Sequence, residues 1–287
     1  MKHTLRSLNL MRDKKEMITW LTCYDYSFAS ILEETELDMI LVGDSGGMVM
    51  LGFRDTVPVT MDEMIIFCKS VRNGAPNKFL VGDMPKGSYE ISNELAISNA
   101  MRFVKEGNCD AIKLEGGVDV LERVRAIKRS GIPVIGHIGL TPQSASSLGG
   151  YRVVGRSKIE ETKLINDAIE LEKAGAFAIL VEAVPPQITK KITSSVDNLV
   201  LGIGAGKYTH GQLLILHDLL GLFGAFRPKF AKSFIKDVLK EFYEGYETLE
   251  LDFKTDGIRE LSKMAINKFI IMVKELNFPN EDYSYSE

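Results

Sequence analysis

Eight short β-rich runs alternate with amphipathic segments along this chain, and that alternation restricts the fold more than any other feature. A strand followed by a helix and then by another strand belongs to a parallel sheet, because the crossover carries the chain back to its starting edge. The runs are ITWLTCYD (18–25), DMILVGDS (38–45), KFLVGDM (78–84), AIKLEG (111–116), PVIGHIGL (133–140), AFAILVEA (176–183), LVLGIGAG (199–206) and QLLILHDLLG (212–221). PVIGHIGL is nearly all apolar, as a strand covered on both faces requires. Eight such units predict a (β/α)8 TIM barrel over an open sheet, and 287 residues is an ordinary length for one. No shift in composition divides the chain, so residues 1–287 read as a single barrel domain with a short N-terminal extension and C-terminal helices.

The intervening segments carry helix signals. Thr60 is placed as an N-cap with Glu63 three residues on; Met64, Phe67, Cys68 and Val71 form an apolar face, and Gly74 is a stop. Further helices are expected over SFASILEET, about 90–107, VDVLERVRAIKRSG, 160–174, 186–195, 228–248 and 256–276. Between the fifth and sixth runs, TPQSASSLGGYRVVGR is long for a connection inside a barrel. Its Gly149, Gly150, Tyr151 and Arg156 suit a flap over a substrate.

Hydrophobic residues make up 45% of the chain and charged ones 26%, a globular balance that excludes disorder. The net charge is −4 with both signs interleaved, so a nucleic-acid footprint is absent and small soluble substrates are the expected partners. Cys23, Cys68 and Cys109 are odd in number, widely spaced and set among apolar neighbours, as reduced core thiols of a cytoplasmic protein would be. No segment approaches the ~18 apolar residues of a membrane span.

Four acids stand at or just past the ends of these runs: Asp44, Asp83, Glu115 and Glu182. A parallel barrel gathers strand ends on one rim, where single carboxylates from different strands build a hard-metal or acid/base site. Asp44 alone could be a helix cap. Its repetition as VGD at Asp83 favours a pair of oxygen ligands, which is what Mg2+ takes from a protein that leaves room for substrate and water. Lys113 and Glu115 alternate with Ile112 and Leu114 and so share a face, either as an ion pair in a barrel layer or as part of a site. Glu182 ends its strand among apolar residues, where loss of water makes a carboxylate a stronger proton acceptor. His137 fits a hydrogen-bonded interior position and a substrate contact equally well. His3 and His217 read as structural. GIGAG (202–206) lacks the Lys-Ser/Thr of a phosphate loop and reads as close packing at a strand exit.

Taken in order, TCYDYSFA, VGDS with GMVMLG, PVTMDEMI, GSY, AIKLEGG, PVIGHIGLTPQS, LGGYRVVGR, LEKAGAFAILVEAVP, GIGAG, GQLLILHDLLGL and PKF resemble the ketopantoate hydroxymethyltransferase family, over nearly the whole chain. The resemblance implies a Mg2+-dependent, homo-oligomeric barrel, a decamer by family pattern. Its reaction carries a one-carbon unit from 5,10-methylenetetrahydrofolate, or a related pterin, to 3-methyl-2-oxobutanoate. It assigns Asp44, Asp83 and Glu115 to the metal, Asp44, Ser45, Asp83 and Lys113 to the keto acid, and Glu182 to the catalytic base.

The chain departs from the family pattern at Gly46, where Leu is usual, at Lys86, where an aromatic is common, and at His210, where Asp is usual. A Mg2+-dependent 2-oxo-acid lyase or mutase of the phosphoenolpyruvate mutase/isocitrate lyase type is the alternative. That class implies a reactive Cys in a loop with basic neighbours, and the sequence has no such segment. A barrel reduced to binding would have lost at least one acid, and all four are present.

Overall fold

The eight expected strands form one closed, all-parallel barrel in the order β1 to β8, with each strand paired to the next and β8 returning to β1. The computed structural model describes residues 2–145, 149–224, 227–243 and 257–286. Its elements run α1 (Leu5–Asp13), β1 (Ile18–Thr22), α2 (Tyr26–Glu33), β2 (Met39–Val42), α3 (Gly46–Val49), α4 (Met61–Gly74), β3 (Phe79–Asp83), α5 (Asn93–Lys105) and β4 (Ala111–Glu115). They continue through α6 (Leu121–Arg129), β5 (Val134–Gly139), α7 (Lys158–Ala174), β6 (Ala178–Glu182), α8 (Pro186–Ser194), β7 (Leu199–Ile203), β8 (Gly211–Leu214), α9 (Leu216–Leu219), α10 (Phe234–Tyr243) and α11 (Gly257–Lys274). Among the described residues, no helix is long and apolar enough to cross a membrane.

Local chemistry sets the helix limits. Thr60 caps α4 as expected: its hydroxyl accepts from Glu63 N at 3.3 Å, and Glu63 Oε2 accepts from Thr60 N at 2.7 Å. The four residues assigned to its apolar face are all buried. Gly74 does end α4, though for a reason of space, since a Cβ there would lie 2.5 Å from Tyr26 O where α2 packs against α4. Ser157 opens α7 with a second reciprocal cap, and Gly175, at φ 98°, closes it in the left-handed region that lacks a Cβ penalty.

One expectation is corrected, and the N-terminal extension takes a definite form. The run 212–221 is strand only to Leu214; its second half turns into α9, and Leu216 N donates to Thr22 Oγ1 as the chain leaves the barrel. The N-terminal extension is a helix, α1, with Thr4 as its cap and Leu8 fully buried. His3 Nε2 lies 3.2 Å from Asp38, just before β2, and Arg12 reaches Asp197 O, just before β7. Both contacts are at the N-terminal ends of strands, so α1 spans the end of the barrel opposite the acids. Its one-sided burial was hidden in the sequence by Arg6, Arg12, Lys14 and Lys15.

The helix expected over 228–248 begins at Phe234, and 244–256 lie outside the described residues. α11 packs on α2, β1 and α10, and Phe278 beyond it stacks edge-on against Phe234 and Phe269. The C-terminal helices therefore complete the outer layer of the barrel.

Candidate active site

Strand register brings the acids together. β3 and β4 pair with Asp83 opposite Lys113; β4 and β5 pair with Glu115 opposite His137; β5 and β6 pair with Gly139 opposite Glu182. Residues two apart on a strand share a face, so Lys113 and Glu115 point inward while Ile112 and Leu114 point toward the helices. Gly139 has φ 97°, and a Cβ on it would lie 2.2 Å from Glu182 O. The chain can turn beside Glu182 only because that position is glycine.

Lys113 stands at the centre. Its ammonium is 2.7 Å from Asp83 Oδ1, 3.9 Å from Glu115 Oε1 and 3.3 Å from His137 Nδ1, and its side chain is 3% exposed. At 2.7 Å the Lys113 ammonium and Asp83 Oδ1 form a close, buried ion pair. Asp83 Oδ2 accepts from Asp44 N at 3.2 Å. Ser45, next to Asp44, shares a 2.8 Å hydrogen bond with the buried Tyr24 hydroxyl. His137 faces Glu115 Oε1 at 3.5 Å through Nδ1 and Glu182 Oε2 at 3.2 Å through Nε2. The Glu182 side chain is 15% exposed against 2% for Glu115, so Glu182 is the acid that looks out of the barrel.

Burial acts on every group here, and neighbours decide the direction. Burial pushes Asp44 well above the ordinary carboxylate range, and the charges of Asp83 and Glu115 push the same way. Asp83 is also raised by burial, which outweighs Lys113 beside it. Glu115 goes down despite burial, held by His137, Lys113 and the Gln143 N–H. Burial and Lys113 oppose a charge on His137, yet Glu115 and Glu182 raise it to about 9. Lys113 is held above its usual value by Asp83, Glu115 and Asp44, against its own desolvation.

Four carboxylates thus face one ammonium and one imidazole. All four ionised would outnumber those two cations in a buried space, so Asp44 and Asp83 hold protons more firmly than exposed aspartates do, and a divalent cation that displaced those protons would supply the missing positive charge. The donors are hard oxygens, suited to Mg2+ and poorly suited to soft metals. Among the described residues no three His, Cys, Asp or Glu side chains surround a common point. Asp44 and Asp83 are the adjacent pair, while Glu115 is turned to His137 and to Gln143 N. Such a site takes part of its ligand shell from substrate and water.

Sequence reading missed two members of this site. Gln143 donates from Nε2 to Asp44 Oδ2 at 2.9 Å and from its backbone N to Glu115 Oε2 at 3.0 Å; Tyr89 OH donates to Gln143 Oε1 at 2.9 Å. Both residues lie in loops past strand ends, in the TPQS and GSY segments, and a polar residue just past a strand end was the signal available. Of the expected flap, Val154 N donates to Ala183 O, which ties its returning half to the end of β6, and Tyr151 is exposed.

The departures fall apart in space. The Tyr24 ring and Phe67 fill the space beside Gly46, where a Cβ would come within 2.8 Å of Tyr24. Lys86 pairs with Glu90 at 3.1 Å in a half-exposed position. His210 lies at the opposite end of the barrel, where its Nδ1 accepts from Val200 N at 3.0 Å, a bond that a carboxylate there could equally accept.

The sequence model of the ketopantoate hydroxymethyltransferase family matches residues 2–281. A 3-methyl-2-oxobutanoate hydroxymethyltransferase of Alkaliphilus metalliredigens is 45% identical over 99% of this chain and 93% of its own length. One of Heliobacterium modesticaldum is 49% identical over 81% of this chain and 84% of its own. Among solved structures, a phosphonopyruvate hydrolase superposes with a TM-score of 0.61 at 11% identity, covering 98% of this chain and all of the other. A 2,3-dimethylmalate lyase of the PEP mutase/isocitrate lyase superfamily superposes with a TM-score of 0.58 at 15% identity, covering 96% of each chain. At those identities the likeness speaks for the barrel alone.

Proposed function

The chain belongs to the ketopantoate hydroxymethyltransferase family, and from that premise we propose that it transfers a hydroxymethyl unit from 5,10-methylenetetrahydrofolate to 3-methyl-2-oxobutanoate, giving 2-dehydropantoate through an enolate. The observation that carries this reading is the placement of Glu182: partly open to the rim, next to His137, and on the same barrel mouth as Lys113 and the two aspartates.

Asp44 and Asp83 would hold a Mg2+ ion, with Glu115 at its edge. When bound, the cation supplies Lewis-acid polarisation of the keto group and so acidifies C3–H. Glu182 takes the C3 proton, for which a carboxylate at hydrogen-bond reach is the required group. Lys113 stabilises the negative charge that develops on the substrate oxygens, and does so in a space of low dielectric where a fixed cation is most effective. Ser45, braced by Tyr24, offers a hydroxyl to the substrate carboxylate. The enolate C3 then bonds to the methylene carbon of the donor as one of its two C–N bonds opens; the second C–N bond breaks as water supplies the hydroxyl oxygen, and the C3 proton and one proton of that water pass to the two freed folate nitrogens.

The lyase or mutase reading is less well supported. Cys23 is the cysteine nearest the rim, just past β1, and it is fully buried; burial pushes its thiol up to about 12. Cys68 lies on α4 and Cys109 before β4, both buried. Turnover of 3-methyl-2-oxobutanoate with a methylene-folate donor tests the proposal: formation of 2-dehydropantoate is the expected result, and C–C or C–P cleavage of a 2-oxo acid without it would replace this reading with the alternative.

A further inference from the structure

Gln143 is a neutral side chain buried among acids, 2% exposed, in the turn Pro142–Ser144 just past β5. A carboxamide has two N–H donors, and here both are used: Nε2 donates to Asp44 Oδ2 and to Met84 O, each at 2.9 Å. Its oxygen accepts from Tyr89 OH at 2.9 Å. The amide cannot be turned over. A flipped group would set Oε1 against the Met84 carbonyl oxygen, two acceptors with no proton between them.

Its contacts have a consequence for the acids. Asp44 Oδ2 accepts the amide N–H, which sets the turn of the carboxylate about its bond and with it the position of Oδ1. Through the backbone N of the same residue, Glu115 Oε2 is taken up as well, at 3.0 Å, which leaves Oε1 toward Lys113 and His137. Glutamate at 143 would add a fifth negative charge, and a hydrocarbon would leave the buried Met84 carbonyl without a donor.

We propose that Gln143 is a positioning residue for the divalent-cation site, fixing by its side chain the turn of the Asp44 carboxylate and by its main chain which oxygen Glu115 presents. Tyr89 locks the amide in the orientation this needs. The inference rests on the reading that Asp44 and Asp83 hold a cation.

The test is Mn2+ binding by the intact protein in the presence of 3-methyl-2-oxobutanoate, followed by electron paramagnetic resonance without any folate. Gln143→Met, similar in length and lacking both donors, is expected to bind Mn2+ about 10–100-fold more weakly, the range for residues that orient metal ligands. Tyr89→Phe removes the hydroxyl that holds the amide, together with its 3.1 Å contact to Glu115 O, and should weaken binding by a smaller factor; in the double variant the two losses should be less than additive. A purely structural role would lower the metal-free melting midpoint, whereas the proposed role lowers the increment in midpoint that Mn2+ confers. If Gln143→Met does not fold, Tyr89→Phe decides: wild-type Mn2+ affinity in that variant overturns the inference. A folded Gln143→Met with wild-type affinity, while Asp83→Asn loses Mn2+, overturns it and leaves the cation site standing. A wild-type protein that takes up no Mn2+ overturns both.

Discussion

His137 Nε2 lies 3.2 Å from Glu182 Oε2, and on the other edge of the same ring Nδ1 lies 3.5 Å from Glu115 Oε1. One imidazole therefore joins the acid that faces the mouth to the acid buried below it. Its replacement by Asn removes the partner that holds Glu182 in place and leaves Glu115 to Lys113. A contact to a charged group is worth ~1.5–3 kcal/mol, so His137→Asn should slow loss of the C3 proton by about 10–100-fold with a smaller change in keto-acid affinity. An equal loss in rate and affinity, measured by exchange kinetics and by calorimetry, would mean that the ring serves the substrate pocket instead.

Removal of hard divalent cations should abolish turnover, and Mg2+ or Mn2+ should restore it. Asp83→Asn should raise the cation concentration needed at least tenfold, because the amide keeps the shape of the carboxylate and removes its charge. Activity that persists in excess chelator would remove the cation from the account.

Cation affinity should also depend on pH, with a sign fixed by Asp44. Burial and its acidic neighbours raise Asp44, so it retains a proton at pH values where an exposed aspartate has lost its own. A cation must displace that proton; binding therefore releases it, and affinity climbs as pH rises until Asp44 is ionised. Mn2+ titrations across the acid range check this, and affinity that falls with rising pH would contradict it.

The thiols give a further check. With Cys23 held up at about 12 by burial, essentially no thiolate is present at neutral pH, and iodoacetamide should leave the folded enzyme active. Cys23→Ser should retain activity within a few-fold. Rapid inactivation traced to Cys23 would restore the lyase or mutase reading.

Much of this was legible in the chain because period and position coincide. A short apolar run that ends in an acid carries its own orientation, so the sequence alone puts Asp83, Glu115 and Glu182 on one rim. His137 could not be assigned, since an alternating strand puts it on the inner face without saying what faces it; only the pairing of β4 with β5 and β5 with β6 sets it between Glu115 and Glu182. Gln143 and Tyr89 stayed silent because they lie in loops, where no periodicity states direction. The run 212–221 misled for the opposite reason: its unbroken leucines suit a buried strand and the buried face of α9 equally well.

Exchange of the C3 proton with deuterated water in the presence of Mg2+ needs no folate and therefore isolates the step assigned to Glu182. Glu182→Gln keeps the size of the side chain and removes its basicity. The variant should bind 3-methyl-2-oxobutanoate nearly as tightly as wild type while exchange falls by roughly 10²–10⁴, the contribution of a positioned general base. Exchange at the wild-type rate in a variant that binds the keto acid normally would contradict the assignment and pass the role to water or to another group on the rim.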